Sequence, residues 1–292
     1  MNKINEINEI YKSIEITSNS SWAKKSSTPE SMMQTKVDDL IFMFDPKWKR
    51  VGVNLSGGPD SALCTYFICK FIKEMKSETK VYAITFVRNW ENRPWAGPIS
   101  EDVFNILKEM FPDIIQEQIF GFIPPELEEA VSGKDLHNGK SGDRIFGATF
   151  NNYISFKYKL DAMYNATTQN PEVRLTDHDP YDRNNSDLKI YKNKQTELTK
   201  WCYFSFGSFK IKPWYFVTKD WLVKQYIKND LLELFDKTRS CEGDSNYPGI
   251  HSSETYQKYI SYKHGESAIP PECGTCFWCK ERNWAKMKNK II

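Results

Sequence analysis

Apolar residues first concentrate at Val51, Val53 and Leu55, with Lys49-Arg50 before them and Ser56-Gly57-Gly58 after. A short branched run bounded in this way predicts a buried strand over residues 50–55. From Pro59 the spacing becomes helical. Leu63, Phe67 and Phe71 share one face, Ala62, Tyr66, Cys69 and Ile72 an adjoining one, and Lys70, Lys73 and Glu74 point outward. A helix over residues 60–76 follows. Lys80–Val87 predicts a second strand, residues 100–111 a helix capped by Ser100, and residues 113–120 a third strand. Strands and helices alternating at this spacing imply right-handed crossovers and a parallel sheet, hence an α/β fold.

Elsewhere the pattern is less regular. Residues 1–45 read as an N-terminal helical extension, with 37–44 as a packing helix that stops at Asp45-Pro46. Residues 132–143 are a polar, glycine-rich loop, 148–165 a helix, and 167–187 a very polar stretch of the length found in functional lids. A further helix is expected after Pro213, over about 217–235. There is no internal repeat.

Composition narrows the setting. The chain has 292 residues, 40% hydrophobic and 27% charged, enough for one large domain or two smaller ones with a real core. A net charge of +2 gives no electrostatic case for nucleic acid or for a membrane surface. The N-terminal residues hold no apolar core of a signal peptide, and no run of about 18 apolar residues occurs. Seven cysteines without an export signal are expected to be thiols or metal ligands. These features point to a soluble, cytoplasmic protein.

Chemistry enters at Ser56-Gly57-Gly58-Pro59-Asp60-Ser61, between the first strand and the first helix. Unpaired backbone N–H groups at a helix N-terminus, with about half a positive charge from the dipole, hold phosphate. Gly57 and Gly58 allow positive φ and a close approach to a ligand. Pro59 suits the first helical position, where its missing N–H is not needed. The simpler alternative is a well-capped helix start in which Asp60 only complements the dipole, worth about 0.3–1 kcal/mol. The chain has neither a Walker G-x-x-x-x-G-K-[ST] nor a dinucleotide G-x-G-x-x-G. The stretch resembles the S-G-G-x-D-S loop of the PP-loop, or N-type, ATP pyrophosphatases, matching at Ser56, Gly57, Gly58, Asp60 and Ser61. The resemblance implies a Rossmann-like, HUP-type sheet and a loop that binds the β,γ-pyrophosphate of ATP while its α-phosphate is attacked. An acid such as Asp60 beside a polyphosphate makes sense if Mg²⁺ bridges the two.

A second cluster is Cys273, Cys276 and Cys279, spaced C-x2-C-x2-C with Gly274 in the turn. A closed structural zinc site needs a fourth ligand. Cys241 is the best candidate, with His251 or His264 as alternatives. Cys64 and Cys69 lie on the buried faces of the first helix, and Cys202 lies in an apolar run, so these read as core. A [4Fe–4S] cluster uses similar spacing, but usually has a further Cys-Pro downstream that is missing here.

Together, the loop and the tail Ser240-Cys241 … Cys273-Gly274-Thr275-Cys276-Phe277-Trp278-Cys279 … Arg282 resemble the 7-cyano-7-deazaguanine synthases. Lys219 and Thr238 match that family's lysine and its T-x-S-C threonine. The resemblance covers residues 50–72 and 212–285. It implies a PP-loop domain over 46–240 and a small zinc-binding lobe over 241–292. It also implies ATP, Mg²⁺ and Zn²⁺ as cofactors, and ATP-dependent conversion of a 7-carboxy-7-deazaguanine-type carboxylate with ammonia to an amide and then a nitrile. AMP and pyrophosphate would be released, and queuosine-type biosynthesis would be the setting, with neither nucleic acid nor membrane required and a homodimer compatible. Asp60 and Lys219 would be the catalytic residues, although a solvated lysine at a helix start reads equally well at Lys219. Arg144, Asn152, Asp179 and Asp182 are candidates for base recognition. The family's tyrosine-glycine-glutamine segment after the second strand has no counterpart in residues 86–97. Two other functions fit the same motifs. One is a sulfurtransferase that thiolates a tRNA base. The other is a non-catalytic nucleotide- or partner-binding module, with the basic residues from Lys280 to Lys290 as a contact surface.

Overall fold

Val51 and Val53 are fully buried on the central strand of a six-stranded sheet. A computed structural model describes residues 32–38, 40–87, 96–122, 142–176, 202–205, 207–241 and 272–291. The strands are β1 (Met33–Val37), β2 (Leu40–Phe44), β3 (Arg50–Asn54), β4 (Lys80–Val87), β5 (Ile115–Phe122), β6 (Ala162–Tyr164), β7 (Cys202–Ser205) and β8 (Ser208–Ile211). The helices are α1 (Pro59–Glu74), α2 (Ala96–Met110), α3 (Gly142–Lys157), α4 (Lys219–Lys228), α5 (Leu232–Lys237) and α6 (Phe277–Lys288).

The main sheet runs β5-β4-β3-β6-β8-β7. Its first five strands are parallel, and β7 closes one edge antiparallel to β8. Side chains alternate between two apolar layers. Val51, Val53, Val81, Ala83, Ala162 and Tyr164 join the large core that includes α1, α4 and α5. Ile84 and Met163 face the opposite layer with Ile154 of α3. The α/β parallel sheet flanked by helices is therefore the fold that the alternation predicts.

Chain order reverses direction across the sheet. From β3 the chain steps outward to β4 and β5, then returns to place β6 and β8 on the other side of β3. The crevice beyond the carboxyl ends of β3 and β6 is the switch point at which open α/β sheets bind ligands.

Four expectations need correction. Residues 37–44 are not helical: β1 and β2 form an antiparallel pair with Val37 opposite Leu40. Asp38 lies in the left-handed region (φ 52°), which Asp tolerates in a turn, and the following apolar run packs as a strand. Phe42 contacts Phe71, Tyr164 and Trp214 at ring distances of 5.1, 5.6 and 5.7 Å. Helix α2 starts at Ala96 rather than at Ser100, since Pro98 fits a first turn. Ser100 Oγ instead donates to Gly97 O at 2.7 Å. Helix α3 ends at Lys157, and Ala162–Tyr164 is a strand. The helix after Pro213 is two helices, broken where Asp230 adopts φ 55° and Leu231 N donates to Tyr226 O at 2.8 Å. The segments 1–31, 132–141 and 177–201 of the sequence reading lie outside the described residues.

Candidate functional site

The phosphate-type loop leaves β3 at Asn54 and turns into α1. Gly57 has φ 77°, and a Cβ there would meet Ser100 N at 2.9 Å and Ile99 Cγ2 at 3.0 Å. Only glycine fits on both counts. Gly58 occupies the N-cap of α1 with no side-chain capping bond, so the first turn is left open toward the crevice. Two hydroxyls shape the loop. Ser61 Oγ donates to Gly58 O at 2.9 Å and accepts from Ser56 N at 3.2 Å, and Ser56 Oγ lies 3.3 Å from it.

The loop forms one wall of a cleft of about 200 Å³. Asn54, Ser56, Gly58, Asp60 and Ser61 line that wall, and Asn165, Ala166 and Thr167 follow β6 on the adjoining one. Arg239, Ser240 and Trp278 come from the C-terminal part of the chain. The lining thus straddles the carboxyl ends of β3 and β6, the switch point of the sheet.

Asp60 and Lys219 meet at the cleft. Lys219 Nζ donates to Asp60 Oδ1, Thr168 Oγ1 donates to Asp60 Oδ2 at 3.3 Å, and Trp214 Nε1 donates to Asp60 O at 2.9 Å. The Lys219 side chain is 2% exposed, so it is not a solvated helix-start lysine. Glu281 Oε2, itself fully buried, lies 3.8 Å from the same ammonium. Sequence reasoning missed Glu281 and Thr168, and no local pattern signals either of them. Trp278 was legible in principle, because it is flanked by two of the clustered cysteines.

Cys241, Cys273, Cys276 and Cys279 converge, with all four Sγ atoms within 4.8 Å of one another. Cys276 caps the start of α6, and Gly274 takes φ 74° in the turn before it. Cys276 N points at Cys273 Sγ (3.4 Å), and Cys273 N at Cys241 Sγ (3.5 Å). The Cys273 thiol is pushed well down, first because Cys241 donates to it and then because Cys276 and Cys279 do. Four convergent sulfurs, three of them buried, can hold one metal ion. His251 and His264 lie outside the described residues.

Cys64 and Cys69 sit in the core, where burial raises their thiols, and Cys202 is buried with them. Asn152 lies on α3, away from the cleft lining, and Arg144 is on the same helix. Asp179 and Asp182 lie outside the described residues.

The loop and the cysteines are physically joined. Arg239 N donates to Gly57 O at 2.9 Å, two residues before Cys241. Ile99, packed beside Gly57, belongs to the same apolar cluster as Cys241, Cys276 and Cys279. Arg282 fixes the other side, donating to Thr238 O (3.0 Å), Thr238 Oγ1 (2.9 Å) and Phe235 O (2.7 Å). Its guanidinium also lies 3.9 Å from the Phe235 ring centre.

No protein-family profile and no curated protein sequence matches the chain. Among solved structures it is similar to the U34-tRNA thiolase NcsA from Methanococcus maripaludis with its [4Fe-4S] cluster. That likeness has 15% identity, covers 95% of this chain and 87% of that one, and has a TM-score of 0.39. It is similar also to a 4-thiouridine synthetase–RNA complex with bound ATP, at 14% identity over 65% of this chain and 42% of that one, with a TM-score of 0.40. An NAD+ synthetase from Burkholderia pseudomallei matches at 10% identity over 83% of this chain and 81% of that one, with a TM-score of 0.32. Likenesses of this size carry no argument about activity. Among the described residues, no helix is long and apolar enough to cross a membrane.

Proposed function

We propose that the protein is an ATP-dependent adenylating enzyme of the PP-loop type. The observation that carries this reading is the Ser56–Ser61 loop at the switch point, with Asp60 and Lys219 at the cleft it lines. The amides at the open end of α1 and the Ser56 and Ser61 hydroxyls suit the three-oxygen faces of pyrophosphate. Release of pyrophosphate rather than transfer of the γ-phosphate is what the resemblance of Ser56–Ser61 to the S-G-G-x-D-S loop implies.

The substrate read from the sequence resemblance is a planar deazapurine carboxylate. A carboxylate resists attack by ammonia because its leaving group would be oxide. One of its oxygens attacks the α-phosphorus of ATP, the bond to the β-phosphate breaks, and pyrophosphate leaves. Ammonia then adds to the acyl adenylate, and AMP departs with that oxygen to leave the amide. A second adenylation, through the amide oxygen, lets AMP leave again as the nitrile forms and protons are lost. The chain's share is to orient the two reactants and to meet developing negative charge with the loop amides and Lys219. Asp60 would hold Mg²⁺, which when bound neutralises charge on the leaving pyrophosphate.

The cysteine set fits zinc. Zn–S bonds of about 2.3 Å place tetrahedral sulfurs roughly 3.8 Å apart. Cys273 Sγ and Cys279 Sγ are separated by 3.8 Å. An iron–sulfur cubane, with each thiolate on a different iron, needs a wider spread than the 4.8 Å found here. With these four cysteines held together, the other three, Cys64, Cys69 and Cys202, are buried in the core and poorly placed to carry a persulfide, which favours amide and nitrile formation over base thiolation.

Incubation with Mg·ATP, ammonium and candidate acids, followed by mass spectrometry, tests the substrate. A product lighter than the acid by the exchange of hydroxyl for amine, and then by loss of water, supports the reading. A thio product or an unchanged acid contradicts it.

A further inference from the structure

Lys219 stands between two carboxylates that come from different parts of the chain. Asp60 belongs to the first turn of α1 in the phosphate loop, and Glu281 to α6, two residues after Cys279. Taking a carboxylate out of water costs several kcal/mol unless a partner charge offsets it. Glu281 is fully buried and its Oε2 is 3.8 Å from Lys219 Nζ. A neutral side chain of similar shape would fill the same space without that cost, so a buried acid here calls for a role.

Helix α6 grips the start of α4 at two points. Glu281 reaches Lys219, and two turns later Asn289 Nδ2 donates to Asp220 O at 2.9 Å. The other side of α6 is fixed by the cysteine set and by Arg282 on the carbonyls of Thr238 and Phe235. Glu281 therefore sits on an element tied to the cysteines, and its carboxylate lies behind the cleft wall, against the Lys219 ammonium that lines the cleft.

We propose that Glu281 is a positioning residue that holds the Lys219 ammonium at the phosphate site, and so couples the cysteine lobe to the adenylation step. This rests on the adenylation reading above. When a polyphosphate and its cation occupy Asp60, Lys219 gives up that partner and turns to a phosphate oxygen. Glu281 remains as the second counter-charge, so the ammonium moves between two ligands over a fixed anchor. Without the anchor the lysine follows Asp60 or swings into the cleft at random, and the placement needed at the transition state is lost.

The test is a double-mutant cycle of Glu281→Gln and Lys219→Met in the full chain, read by pyrophosphate release, ATP affinity by calorimetry and metal content. Glu281→Gln lowers kcat by about tenfold to a hundredfold with little change in ATP affinity and with full metal content. In the Lys219→Met background it has no further effect, because Glu281 acts through that lysine. Glu281→Asp, which keeps the charge, retains more of kcat than Glu281→Gln. Losses that add across the cycle, or Glu281→Gln working as well as Glu281→Asp, overturn the role of Glu281 alone. A wild-type protein that neither binds nor cleaves Mg·ATP overturns the adenylation reading and this role with it.

Discussion

Lys219 and Asp60, 159 positions apart in the chain, form a partly buried ion pair at the cleft beside the phosphate loop. A lysine on the first turn of α4 thereby becomes part of a site built on the first turn of α1. Neither residue's local sequence announces the other.

Asp60→Asn keeps the shape of the pair and removes its charge. It is expected to lower kcat/KM for ATP by about 10²-fold or more. The fold is expected to hold, because Trp214 bonds the Asp60 backbone carbonyl rather than its side chain. A coupled pyrophosphate assay beside a thermal melt measures both. Unchanged turnover would remove Asp60 from the mechanism.

Gly57 and Gly274 make a paired comparison. Both have positive φ, but a Cβ at Gly57 would strike backbone at 2.9 Å, whereas at Gly274 it meets nothing within 4 Å. Gly274→Ala should therefore cost only the left-handed penalty of about 1–2 kcal/mol. Gly57→Ala should cost more and should abolish ATP binding by shifting the loop. Chemical denaturation and calorimetry with ATP give the two readouts, and equal costs would contradict the packing described here.

Metal analysis should find about one zinc ion per chain. Cys276→Ser and Cys241→Ser should each lower metal content and stability, and chelation should do the same for the wild type. A full metal complement in Cys241→Ser would mean that another residue supplies the fourth ligand.

Lys210 predicts a pH effect. Burial lowers its ammonium to about 8, and Ser155 Oγ at 3.1 Å is its hydrogen-bond partner. In the unfolded chain it stays protonated up to about 10.4. Between these values the unfolded state binds the extra proton, so this residue's contribution to stability rises with pH. Below about 8 the full cost of the buried charge is present. The stability of Lys210→Met relative to wild type should therefore fall as pH is raised from 8 to 10. A gap that does not vary with pH would contradict this.

Legibility in the sequence followed the range of the interactions. The Ser56–Ser61 loop and the helix behind it were readable because their chemistry is local: glycines, a proline at N1 and one apolar face. The cysteine set was readable from spacing for three members and from elimination for Cys241. The β1–β2 pair was not, because Leu40–Phe44 is apolar at every position and carries no period to separate strand from helix. The break between α4 and α5 depended on one residue adopting positive φ. Glu281 was hidden for another reason: a charged residue beside a metal-type motif looks like surface until α4 is packed against it.

The most direct test of adenylation follows the oxygen. With 7-carboxy-7-deazaguanine labelled with ¹⁸O in its carboxylate, Mg·ATP and ammonium, attack on the α-phosphorus transfers a substrate oxygen to AMP. Mass spectrometry should find ¹⁸O in AMP and none in pyrophosphate. Label in pyrophosphate or inorganic phosphate, or ADP as the nucleotide product, would contradict the account.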